Sequence, residues 1–198
     1  MSSIKLTADS GGGTFEIKAP ASSANTRVLT LPDSGNYILG GRILQVVSTT
    51  KTDAFTTTSS SLVDITGLSV TITPSSNSSK VLIIADVMGG VTGSSNLFGA
   101  KLQLVRGSTE IAKGDASGNK ARGTVGMGGS GGAIGNIQQH YGFHFLDSPA
   151  TTSATTYKIQ ILHPQGTETR INMNLYDSSD NVNRVRSVSS ITVQEVAA

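Results

Sequence analysis

The chain has 198 residues, enough for one domain with a core and an appended segment. Its 27 Ser, 23 Thr and 23 Gly make up more than a third of it, while charged residues are 14% and aromatics 5%. With no Cys, a disulfide-stapled fold, a thiolate metal site and a cysteine nucleophile are excluded. The formal charge of +2 is spread along the chain, so no basic stripe marks a nucleic-acid face. No apolar run approaches the ~20 residues of a membrane span, and Met1–Lys5 lacks the apolar stretch of a signal peptide. These features read as a soluble chain made without export, with no nucleic-acid partner and no membrane insertion. The apolar fraction is only 36%, yet it falls in regular alternating runs, which argues for a folded chain.

Residues 1–41 form a first segment. Ile4, Leu6 and Ala8 alternate with polar residues, Gly11–Gly13 breaks the run, and Phe15 and Ile17 resume it. Leu29 and Leu31 make a third short run before the turn signal Pro32-Asp33-Ser34-Gly35. Strands this short cannot bury a core alone, so the arm needs copies of itself or a partner. Phe15, Ile17, Leu29 and Leu31 are its expected contacts between subunits. Gly40-Gly41 reads as the junction to a second domain, 42–198.

From Arg42 the runs lengthen. The pattern predicts strands near 42–48, 62–73, 80–88, 97–106, 138–147, 155–163, 169–176 and 187–196. The third, Lys80 to Met88, is continuously apolar around one Asp and reads as a strand buried on both faces. The others alternate: Leu68, Val70, Ile72; Tyr141, Phe143, Phe145; Tyr157, Ile159, Ile161; Ile171, Met173, Leu175. No segment has a 3.6-residue apolar period. Eight strands with polar, Gly-rich connections predict an all-β protein, an antiparallel β-sandwich of the jelly-roll type. Residues 114–136, nine of them Gly, read as a long structureless loop at a surface or subunit edge.

The sequence carries no catalytic signature. His140 and His144 are four apart, but on a strand they point to the same side about 13 Å apart, too far to share a metal. No G-x-S-x-G elbow and no phosphate-binding G-x-x-x-x-G-K-[ST] occurs. Asp115, Asn119 and the run Asp177 to Asn181 are oxygen-rich, but lack EF-hand spacing and are ordinary turn residues. Nothing places any two of Asp86, Glu110 and Asp147 together for glycoside hydrolysis. The chain therefore reads as no enzyme, with no cofactor and no bound metal.

The N-terminal pattern Ile4-Lys5-Leu6-Thr7-Ala8, Gly12 to Pro20 and Arg27 to Asp33 resembles a segment recurrent in tail-fibre and virion-fibre proteins of marine bacteriophages. Gly41–Val47, Leu68–Pro74, Ser79–Ile83, Phe143–Pro149 and Ser189–Val196 resemble the C-terminal head domain of such fibres. That family is similar to C1q/TNF-like trimeric jelly rolls. The resemblance implies a homotrimer on the virion, assembled in the host cytoplasm, in contact with other virion proteins. A short trimeric knob could sit on the tail and touch a host surface glycan or protein, or decorate the capsid as a cement or head-fibre protein. The surface positions expected to carry recognition are Asn96, Asn119, Arg122 and Met127.

Overall fold

Alternation of apolar and polar residues along each long run puts every second side chain inward, and the sandwich follows from that period. The computed structural model describes residues 3–7, 14–18, 43–91, 99–128, 138–165, 168–174, 182 and 185–198. The chain divides into two units, Met1–Leu39 and Gly40–Ala198.

In the first unit β1 (Ser3–Thr7) and β2 (Thr14–Lys18) pair as an antiparallel hairpin. The register sets Ile4 opposite Ile17 and Leu6 opposite Phe15. Leu29 and Leu31 lie outside the described residues.

The second unit contains β3 (Ile43–Lys51), β4 (Phe55–Thr57), β5 (Val63–Ile72), β6 (Lys80–Val91), β7 (Ala100–Arg106), β8 (Thr109–Glu110), β9 (Val125–Met127), β10 (Gln139–Asp147), β11 (Thr155–Leu162), β12 (Thr169–Ile171) and β13 (Ser189–Val196). No helix occurs among the described residues. All pairings are antiparallel. Four short strands, β4, β8, β9 and β12, share lanes. β12 pairs with Gly89–Val91 of β6 and β13 with Lys80–Asp86, so they are two halves of one lane. β4 beside β12 likewise continues β3 beside β13. β8 and β9 divide one edge of β7. Eight lanes result, ordered β3/β4–β13/β12–β6–β10 in one sheet and β5–β11–β7–β8/β9 in the other. With the lanes counted along the chain, these orders are 1-8-3-6 and 2-7-4-5, the topology of a jelly roll.

The inward residues of both sheets form one core: Leu68, Val70 and Ile72 of β5, Val81, Ile83 and Val87 of β6, Leu102 and Leu104 of β7, Tyr157, Ile159 and Ile161 of β11, Ile191 and Val193 of β13. The eight predicted runs all coincide with strands. β6 departs from its expected burial, however, because its residues alternate between buried and accessible positions. The run looks continuous because the outward residues Leu82, Ile84 and Met88 are themselves apolar.

The predicted strand 169–176 stops at Ile171 for a local reason. Asn172 takes a left-handed conformation (φ 60°), which an Asn tolerates and a β-branched residue does not. Its backbone N–H donates to Met88 O, and its Nδ2 donates to Lys51 O and Asp53 O at 2.9 and 3.1 Å. Its Oδ1 accepts from Ser189 Oγ at 2.6 Å, and Ser189 Oγ accepts from Met88 N. One buried side chain thus joins the three strands at the break in the lane. Asn172→Ala removes the three side-chain bonds, to Lys51 O, Asp53 O and Ser189 Oγ, and leaves Ala in a strained conformation; a loss of about 2 kcal/mol is expected in urea denaturation.

Candidate functional site

Two surfaces stand out, one built by a loop and one by a sheet. The loop is the excursion of 112–123 between β8 and β9. Its base is closed by hydrogen bonds. Ile111 N donates to Leu104 O and Thr124 N to Leu102 O, while Gly114 N reaches Gly123 O across the neck. The fully buried Gln103 donates through Nε2 to Ile111 O and Leu104 O, filling the ladder gap the chain leaves as it departs. Arg122 Nε donates to Gly114 O at 2.6 Å, and Lys101 Nζ donates to Arg122 O. At the tip, Gly118 (φ 54°) makes the turn that Lys120 N closes on Ser117 O. Lys113 Nζ meets Glu110 at 2.8 Å, and the partner ammonium, the largest influence, lowers the Glu110 pKa.

Of the predicted recognition residues, Asn119 and Arg122 are exposed in this excursion. Asn96 lies outside the described residues. Met127 requires correction: it is 1% exposed and belongs to the core. The stretch 114–136 is not structureless throughout, because Val125–Met127 is β9, paired with Ala100–Leu102. The alternation Val125-Gly126-Met127 was the available signal, hidden among nine glycines. Met127 packs beside Gly89, where a Cβ would lie 3.2 Å from its Cε.

The second surface is the outer face of the sheet containing β6. The register places Val46, Gln194, Leu82 and Leu146 in one row across four strands, and Ser48, Thr192, Ile84 and His144 in the next. Thr50, Ser190, Asp86 and Gly142 make the third row. His140 and His144 both project from this face, as the strand reading requires, and both are exposed. The His140 ring lies over Gly142, which has no side chain to obstruct it, and its Nε2 is 2.7 Å from Asp86 Oδ1. Among the described residues no group of three or more His, Cys, Asp or Glu is placed to hold a metal.

The three carboxylates weighed for hydrolysis face different surroundings. Asp86 lies on the outer sheet face with His140, and Glu110 pairs with Lys113. Asp147 is buried between the sheets, accepting from Arg106 Nη1 at 2.8–2.9 Å and from Tyr157 Oη at 2.7 Å. Burial first, then the Asp147 carboxylate, pushes the Tyr157 hydroxyl far above its usual range and keeps it a donor. Burial lowers the pKa of His163, whose Nδ1 accepts from Gln165 N, so this imidazole is neutral at pH 7. The buried groups that sequence reasoning did not single out, Gln103, Asn172 and Glu195, all brace strand ends.

No family model matches the chain, and no curated protein matches its sequence. Among solved structures it is similar to the VP2 subviral particle of infectious bursal disease virus, at 15% identity and a TM-score of 0.39, covering 91% of this chain and 42% of that one. It is also similar to the tripod (BppUct-A-L) from the baseplate of bacteriophage Tuc2009, at 11% identity and a TM-score of 0.22, covering 92% and 84%. The chain spans less than half the length of that VP2. What its own fold defines is a jelly-roll β-sandwich with a separate N-terminal unit.

Proposed function

We propose that this protein is a structural component of a bacteriophage virion, a short trimeric knob attached to the particle and touching the host surface. The resemblance of its strand-and-turn segments to phage fibre heads supports this reading. The observation that carries it is the pairing of a jelly-roll unit with an N-terminal hairpin too small for a core of its own. The hydroxyl- and amide-rich surface suits hydrogen bonding to a glycan or to another virion protein. The role is binding or structural rather than catalytic, and its place is on the virion with other virion proteins as partners.

A second reading, a capsid decoration protein that contacts no receptor, is favoured by the excursion itself. Recognition patches centre on aromatic or Arg anchors. Here Met127 is turned into the core, no aromatic is present between Ala112 and Gly123, and Arg122 is tied back to Gly114 O.

The paired substitution Asn119→Ala and Arg122→Ala separates the two. On the knob reading, host adsorption falls several-fold while the melting temperature of the isolated protein holds. On the decoration reading, adsorption is unchanged and particles lose resistance to heat or dilution. If neither measurement moves, the excursion is a passive connection and both site assignments fail.

A further inference from the structure

The fold gathers into one place the charge that looks dispersed along the sequence. Lys101, Lys113, Lys120 and Arg122 stand on the excursion of 112–123 and its base, with Glu110 and Asp115 as the acids there. Arg106, further along β7, is neutralised by Asp147. The four cations and two acids carry the whole formal excess of +2, because the two signs balance over the rest of the chain. Lys113 pairs with Glu110, and Lys101 and Arg122 also act on that carboxyl at longer range, so three cations surround one carboxylate. Neutral acceptors hold two of these cations. Arg122 Nε donates to Gly114 O, and Lys101 Nζ donates to the carbonyl of Arg122 itself. A carbonyl satisfies a donor but cancels no charge, so an ammonium is fixed against the backbone of a second cationic residue. Among the described residues no carboxylate pairs with Lys101, Lys120 or Arg122. The Lys120 ammonium and the Nη groups of Arg122 have no hydrogen-bond partner there either.

We propose that the excursion binds an acidic polysaccharide, an inference that rests on the reading of the protein as a knob touching the host surface and names what it touches. Charge selects an anion. Like charges held together at an exposed site repel, and an anion between them relieves that repulsion while their summed field draws it in. Composition then selects a sugar polymer among polyanions. Residues 113–122 are all exposed, and the apolar side chains of the excursion are the methyls of Ala112, Ala116 and Ala121. An acidic protein asks for an apolar interface centre, and a membrane asks for an apolar face to insert. A nucleic acid asks for a longer basic stripe or for aromatic rings on which bases stack. The excursion supplies none of these. It offers the hydroxyl of Ser117 and the amide of Asn119 around the Gly118 turn, groups that match sugar hydroxyls. Beside them stand the ammonium and guanidinium groups that match a carboxylate or sulfate.

The test measures binding of the full chain to immobilised polygalacturonate and dextran sulfate, with uncharged dextran and poly-glutamate alongside. Wild type is expected to bind both acidic polysaccharides, to leave dextran unbound, and to lose about tenfold in affinity between about 50 and 300 mM NaCl. Lys120→Gln/Arg122→Gln should bind about tenfold more weakly, while Lys120→Arg/Arg122→Lys, which keeps both charges, should bind as wild type does. Lys80→Gln removes a charge from β6 in the other sheet and should change nothing. If the double Gln variant melts below wild type, Lys120→Gln alone decides, with about a threefold loss expected, because that side chain bonds nothing in the fold. A wild type that binds neither acidic polysaccharide, or a folded Gln variant that binds both undiminished, overturns the assignment. Poly-glutamate bound as tightly as the polysaccharides overturns the choice of a sugar polymer. Adsorption judges the host contact separately. Polysaccharide binding with adsorption unmoved in the Asn119→Ala and Arg122→Ala pair overturns the host contact and leaves the binding site standing; reduced adsorption without polysaccharide binding does the reverse.

Discussion

Replacing Asp147 by Ala should destabilise the protein by about 3 kcal/mol, or roughly 6–12 °C in melting temperature for a chain of this length. Asp147 ends β10 in one sheet, while Arg106 on β7 and Tyr157 on β11 belong to the other, so this carboxylate joins the two layers. Tyr157 is fully buried, and without Asp147 its hydroxyl loses its acceptor in a place water does not reach. Arg106 is 30% exposed at its side chain and recovers part of its solvation, which holds the loss at the low end for a broken buried pair. Tyr157→Phe deletes the donor instead of stranding it and should cost only about 1 kcal/mol. Urea denaturation of the two variants checks the order; a Tyr157→Phe protein less stable than Asp147→Ala would mean that the Tyr157 hydroxyl, and not the carboxylate with its Arg106 pair, contributes most at this junction.

Stability should fall steeply in acid because of Glu195. This residue is fully buried on β13, and burial alone would raise its pKa. Hydrogen bonds outweigh that: Gln45 Nε2 donates to Oε2, and the backbone N–H and hydroxyl of Ser75 both donate to Oε1, each at 2.7 Å, with a further bond from Ser79. Together they hold the carboxyl at about 2, against an ordinary 4.5. Since the folded value lies below the unfolded one, the stabilisation is complete above pH 4.5 and is lost as the pH falls through about 2. The shift corresponds to about 3 kcal/mol. Asp64, whose pKa is lowered by Lys158 and Gln160, changes stability in the same direction but is exposed and contributes far less. Glu195→Gln should remove most of this stability at pH 7 and flatten its decline between pH 4.5 and 2, as measured by urea unfolding across that range. A Glu195→Gln protein with the wild-type acid slope would assign the loss to other carboxylates.

The strands themselves were legible because a period of two is a local property. Leu68, Val70 and Ile72, or Tyr157, Ile159 and Ile161, announce an inward face without reference to any partner. Strand boundaries were less so. Asn172 ends the β12 half of its lane because Met88, Lys51, Asp53 and Ser189 converge on it, and those partners come from positions up to 121 residues away. Met127 shows the same limit in a Gly-rich stretch. Three residues of strand there are too few to read as a period, and it is pairing with Ala100–Leu102 that makes them a strand and carries the methionine inward.

Composition and alternation by themselves determined an all-β sandwich, eight principal runs and an N-terminal segment unable to bury a core, because each depends only on neighbours in the chain. Which runs share a sheet, and which of their faces meets the core, was decided by tertiary structure, since sheet order is set by contacts between residues far apart in sequence. β6 makes the point. As sequence it is an unbroken apolar run, equally suited to burial on both sides. Only its place, between β13 and β10 in the outermost layer of the described sandwich, turns Val81, Ile83 and Val87 into core and leaves Leu82 and Ile84 facing outward.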